Sequence, residues 1–249
     1  MSVATTTRYW DCSGGACGCA YLPFGPGSDD LPAHCYSNAM FAAPQGNPYG
    51  ASFYGAAAVS QALGGGDWLA EGCGKCWKVI GTSNISPFDG VSTVLVLKAT
   101  NYCPPLNPFC ANGNPHFDIA APGFDSQPAS LSNSCLIREE DEIDGFTSCE
   151  QWMIASGNPN ENCDCSLFNS DVLRDGCENF RTLYWDNVQV SYEEVTCPRE
   201  LTRLPCWVEN GGRYPEGIPT FCASNVGSGP SPTNASPIPG PTPAPTPMP

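Results

Sequence analysis

Two carboxylates in this chain stand in settings suited to acid–base chemistry. Asp11 ends the run Thr7-Arg-Tyr-Trp-Asp11 and is followed by Cys12. An aspartate beside two large aromatics and a bridging cysteine sits on a rigid, partly apolar platform, which can fix a carboxylate and tune its proton affinity. Asp118 lies in Asn114-Pro-His116-Phe-Asp118-Ile119, with Phe before it and Ile-Ala-Ala after it. Apolar flanks favour a desolvated carboxyl that keeps its proton, as a general acid must. His116 is two residues away, on the same face if this segment is a strand, and could orient or tune Asp118.

Each motif also has a plainer reading. Asp11 could cap a turn near the start of the chain, and a His-x-Asp pair is commonly a satisfied structural pair. The two aspartates are far apart in sequence, so only the fold can make them partners. Strand-like runs are Cys76-Trp-Lys-Val-Ile80, Thr93 to Ala99 and Val188 to Val195, each rich in β-branched residues and bounded by Gly, Pro or Asn. Ala51 to Leu63, rich in Ala and closed by Gly64-Gly-Gly66, predicts a helix. A second short helix is expected after Pro198, which suits a first helical turn. The remainder reads as turn and loop, giving a small β-barrel with long tied loops.

Sixteen cysteines among 249 residues set the compartment. They allow up to eight bridges, far more than a reducing cytosol sustains as structure. Metal binding at Cys73-Gly-Lys-Cys76 or Cys163-Asp-Cys165 is the competing reading, but most cysteines are scattered singly and only His34 and His116 could join them. A disulfide-stapled, extracellular protein is expected. The sequons Asn84-Ile-Ser86 and Asn234-Ala-Ser236 agree with that compartment. Met1-Ser-Val-Ala-Thr runs straight into the first motif, so a leader removed ahead of it is expected. The formal charge of −15, with ten Lys and Arg, argues against nucleic acid or any polyanion as partner. A neutral polymer remains compatible. No apolar run approaches membrane-spanning length.

Residues 1–226 read as one catalytic domain. Residues 227–249, GSGPSPTNASPIPGPTPAPTPMP, have no aromatic residue and too little apolar bulk to offset their ordering entropy. They are expected to form a flexible linker or tail, of the kind that tethers a second module.

At this point the residues resemble a known family. Thr7-Arg-Tyr-Trp-Asp11, followed after five residues by Cys17, is similar to the signature of glycoside hydrolase family 45, the small endoglucanases. Gly72-Cys-Gly-Lys-Cys76, Ala99-Thr-Asn-Tyr-Cys103-Pro-Pro105 and His116-Phe-Asp118 recur in order there or in the related expansins. Cys165-x11-Cys177, Arg181 with Tyr184-Trp185, and Val195-Thr-Cys197-Pro-x-Glu-Leu201 with Cys206 continue the match, which covers most of residues 5–222.

The resemblance implies a mainly β fold, a six-stranded double-psi β-barrel with long disulfide-tied loops and a few short helices. It implies endo-acting hydrolysis of β-1,4-glucosidic bonds with inversion, Asp118 as acid and Asp11 as base, with no cofactor and no metal. Thr7 and Tyr9 fall near the base and His116 beside the acid. Asn101 matches a position that in some relatives helps handle the catalytic water; otherwise it is a hydrogen-bonding turn residue. Of the six tryptophans, only Trp68 is expected, with Tyr9, in the groove, since most Trp in such a barrel is core.

The implied partner is a β-glucan such as cellulose, bound by a secreted monomer without nucleic acid or membrane. Phe109-Cys-Ala-Asn-Gly-Asn-Pro115 lacks the loop acid some members carry, and Cys110 is expected to tie that loop down instead. Residues 135–163 have no counterpart. The acidic run Glu139 to Asp144 within them reads as a solvated loop ahead of a calcium site. The alternative function is an expansin-like, non-hydrolytic wall-loosening protein, which would keep Asp118 but not the Asp11 platform.

Overall fold

The computed structural model of the chain describes residues 1–9, 16–17, 40–67, 69–86, 88–124, 165–167 and 171–202. The elements follow in the order β1 (Ser2–Tyr9), β2 (Phe41–Ala42), β3 (Phe53–Val59), β4 (Cys76–Thr82), β5 (Ser92–Tyr102), β6 (His116–Ala120), α1 (Asp171–Arg181), β7 (Gln189–Val195) and α2 (Arg199–Thr202). The strands hydrogen-bond in the order β2-β3-β5-β4-β7-β1-β6, and β6 also pairs with β3. That last pairing closes six strands into a barrel. β2 and β6 share one edge of β3, β2 at Phe53 and Tyr54 and β6 from Ala57 to Val59. Two strand pairs are parallel, β1 with β6 and β3 with β5. Parallel neighbours need long crossovers, and here two such crossovers interlock within one barrel, the double-psi arrangement.

Closure leaves β3 and the centre of β5 with buried faces on both sides, and the β5 sequence shows it. In β5, every residue from Leu95 to Thr100 is buried, an apolar run rather than an alternating one. Thr100 is polar, and Lys98 is the one charged residue of the run. It is fully buried, and its Nζ donates to the Leu201 carbonyl of α2 at 3.3 Å. Ala57, Val59, Trp77, Val79, Leu95, Leu97, Phe117 and Ile119 fill the barrel, with Trp185 packed among them. A second cluster of Tyr54, Cys76, Val96 and Leu201 lies on the outer face.

The helix expected from Ala51 to Leu63 is not formed. Those residues make strand β3 and a single 3-10 turn at Gln61–Leu63. Ala favours helices intrinsically, but β3 has three strand neighbours and is buried from Tyr54 to Val59. Small side chains suit that crowding, and packing overrides propensity. The glycines that seemed to stop a helix instead make a tight turn at the barrel end. Gly64 has φ +85°, and a Cβ on Gly65 would stand 2.1 Å from the Val59 carbonyl oxygen. The helix after Pro198 is present as α2. The three strand expectations correspond to β4, β5 and β7.

Four disulfides join described residues: Cys17–Cys73, Cys76–Cys197, Cys103–Cys110 and Cys165–Cys177. Cys73 and Cys76, weighed as metal ligands, therefore belong to two separate bridges. Residues 203–249, which include the Pro/Thr/Ser-rich stretch, and the acidic run from Glu139 lie outside the described residues.

Candidate active site

Asp118 is positioned by the parallel β1–β6 pair. The register sets Thr5 beside His116 and Thr7 beside Asp118. Strand alternation sends Phe117 and Ile119 into the barrel core and His116 and Asp118 to the outer face. On that face the side chains form one hydrogen-bonded row. Thr5 Oγ1 lies 2.7 Å from His116 Nδ1, His116 Nε2 lies 2.8 Å from Thr7 Oγ1, and Thr7 Oγ1 donates to Asp118 Oδ1 at 2.6 Å.

The proton order along this row follows from counting hydrogens. A hydroxyl has one hydrogen, and Thr7 gives it to Asp118. Thr7 Oγ1 must then accept from His116 Nε2–H, which leaves Nδ1 to accept from Thr5. This order requires a neutral imidazole. Burial supplies it, pulling the His116 pKa down to about 4. His116 is fully buried, whereas Asp118 remains partly open to solvent.

The base of the row is fixed by Ser60, just after β3. The Ser60 hydroxyl donates to the Asn114 carbonyl at 2.7 Å and accepts from the His116 backbone N–H at 3.1 Å. On the opposite face of β1, Arg8 donates to Asn187 Oδ1 at 3.2 Å and stands 3.8 Å from Asp186. Burial pulls the guanidinium pKa below its usual value, while the charges of Asp186 and Asp118 oppose that shift.

The other expected residues divide. Tyr9 packs with Ala58 and the Cys103–Cys110 bridge. Its carbonyl accepts from Ala121 N–H at 2.7 Å, extending the β1–β6 pairing past Asp118. Asn101 uses its side-chain oxygen on backbone, accepting from Ala16 N–H at 2.7 Å and Tyr102 N–H at 2.9 Å. It thereby ties residues 16–17 to β5, beside the Cys17–Cys73 bridge. Asp11 and Trp68 lie outside the described residues. Thr5 and Ser60 were not anticipated. Thr5 had a signal, since it shares strand parity with Thr7; Ser60 had none.

Donor atoms of Cys103, Cys110 and His116 lie within 4.8 Å of one another. The two sulfurs are bonded to each other, so they are not thiolates and cannot act as a metal-binding pair.

No family model matches the chain, and no curated protein matches it by sequence. Solved structures do. A cellulase from the Antarctic springtail Cryptopygus antarcticus is 20% identical, with a TM-score of 0.50 over 82% of this chain and 96% of the springtail chain. A GH45 endoglucanase, EG27II, solved with cellobiose, is also 20% identical, with a TM-score of 0.36 over 86% of this chain and 88% of that one. The fold is thus shared with the springtail cellulase, and this chain has the endoglucanase-like barrel that its sequence resemblance to family 45 implies.

Proposed function

We propose that this protein is an endo-acting glucanase that hydrolyses β-1,4-glucosidic bonds in cellulose or related β-glucans with inversion. The observation that carries the proposal is the partly exposed Asp118, oriented by Thr7 in a row closed by a buried neutral His116. The fold shared with the springtail cellulase supports it.

In this reaction Asp118 is the general acid. Thr7 occupies Oδ1, so the proton resides on Oδ2 and passes to the leaving glycosidic oxygen as the C1–O bond breaks. Asp11 is the general base. It takes a proton from the water that attacks C1 from the opposite side, and the product sugar carries inverted configuration. An inverting pair needs roughly 6.5–9.5 Å between carboxyls to admit that water. Neither proton transfer calls for a metal ion. Tyr9 and Trp68 are assigned to the groove, Asn101 to bracing the segment that follows the base. The enzyme acts outside the cell as a monomer, with residues 227–249 as a flexible linker or tail.

The test is release of reducing ends from soluble cellulose. Asp118→Asn and Asp11→Asn should each lower it at least about a thousandfold, of the order that loss of one acid–base group removes, with circular dichroism unchanged. Full activity in Asp11→Asn would remove the base. A wild-type protein that binds cellulose without cutting it would support the expansin-like alternative.

A further inference from the structure

The loop from Cys103 to Pro115 presents two exposed apolar side chains, Leu106 at 94% and Phe109 at 44% exposure. A lone exposed Leu is ordinary on a protein surface. Phe109 is distinguished by what it stands on. The Cys103–Cys110 bridge gathers the loop against Ala58 and Tyr9, and Ala58 is the residue that β3 sets beside Asp118. The Phe109 ring lies nearly parallel to the His116 imidazole, with centroids 5.9 Å apart and planes 21° apart. His116 is one hydroxyl removed from Asp118, through Thr7. A half-open aromatic ring is therefore held in a short disulfide loop beside the row that ends in the acid.

We propose that Phe109 is a sugar-stacking platform that seats one glucosyl ring of a β-1,4-glucan next to Asp118. This rests on the glucanase reading above. A β-glucopyranose carries its hydroxyls equatorially, so both ring faces are apolar C–H surfaces that match a flat aromatic face. The contact needs no charge, which suits a neutral polymer and a chain of formal charge −15. It is also preformed. The bridge anchors the residue next to Phe109, and a phenyl side chain has only two torsions to immobilise.

The experiment is calorimetric titration of cellohexaose into Asp118→Asn, which removes turnover, with and without a second change at position 109. Phe109→Leu keeps comparable bulk over His116 but removes the flat face. It should weaken binding about tenfold, the scale of one aromatic stacking contact. Phe109→Trp should hold or tighten it. An NMR titration of His116 in Phe109→Leu should still give a pKa near 4, separating lost stacking from a disturbed row. Equal affinity in the parent and Phe109→Leu would overturn the platform and leave the glucanase reading standing. Absence of cellohexaose binding by the Asp118→Asn parent would overturn both.

Discussion

Thr7 and Asp118 face each other across the parallel β1–β6 pair, and the Thr7 hydroxyl donates to Asp118 Oδ1 at 2.6 Å. In the proposed reaction this bond occupies Oδ1 as an acceptor, and the transferable proton is assigned to Oδ2. Thr7→Val preserves shape and removes the donor. Asp118 becomes a carboxylate as its proton leaves, and a hydrogen bond to a charged group is worth about 1.5–3 kcal/mol, so kcat on soluble cellulose should fall about 10- to 100-fold, with KM little changed. Thr7→Ser should restore most of it. Equal loss in Val and Ser would assign Thr7 to packing.

His116 makes stability depend on pH. Its folded pKa, about 4, lies below the ordinary value of 6.5. Between those values the unfolded chain binds a proton that the folded chain refuses, so the His116 contribution to stability falls as pH drops from about 6.5 to about 4 and is constant above that window. The shift corresponds to about 3 kcal/mol at the acid end. Urea unfolding at pH 7 and pH 4.5 measures it. His116→Gln should flatten the dependence across this window, and an unchanged slope would locate it elsewhere.

Much of this row was legible in the sequence. The Thr7-to-Asp11 run and His116-Phe-Asp118 supplied three of its members, because acid–base chemistry calls for particular residue types and strand parity put His116 with Asp118. What could not be read was the register between β1 and β6, which is set by barrel closure over more than a hundred intervening residues and is what made Thr5 a partner. Likewise, the Ala-rich β3 was expected as a helix, since its burial comes largely from β5 and β6, two strands distant in sequence. Helix α1 was missed for a related reason. Its Gly176 and sparse apolar residues hide a helix fixed by the Cys165–Cys177 bridge and by buried Phe180. Asp11, by contrast, rests on sequence resemblance, as it lies outside the described residues.

The disulfides should separate stability from function. Cys76–Cys197 spans 121 residues and Cys103–Cys110 spans 7. Loop-closure entropy then predicts losses of about 5 and about 2.5 kcal/mol for the respective double serine variants. The shorter bridge abuts His116 and Tyr9. Its removal should cost more activity per unit of stability lost, measured as kcat/KM well below each variant's melting temperature. The opposite ranking would detach that loop from catalysis.

Asn84 occupies one of the two sequons, yet its amide is engaged. Asn84 Nδ2 donates to the Asp186 carbonyl at 2.7 Å, and Asn84 Oδ1 accepts from the Asp186 N–H at 2.8 Å. Such a two-point clasp uses the amide hydrogen on the same side as Oδ1. A glycan in a trans amide linkage takes that position, and the cis alternative costs about 2.5 kcal/mol. Glycopeptide mapping after secretion from a glycosylating host should find Asn84 largely unoccupied. A fully occupied Asn84 in protein of unchanged melting temperature would contradict the clasp.

The most direct test of the whole account is the anomeric form of fresh product. Cellohexaose mixed with enzyme in an NMR tube should yield new reducing ends first as the α-anomer, before mutarotation, because water enters opposite the bond that Asp118 breaks. First appearance of the β-anomer, or no cleavage at all, would contradict the assignment of Asp118 and Asp11 as an inverting pair.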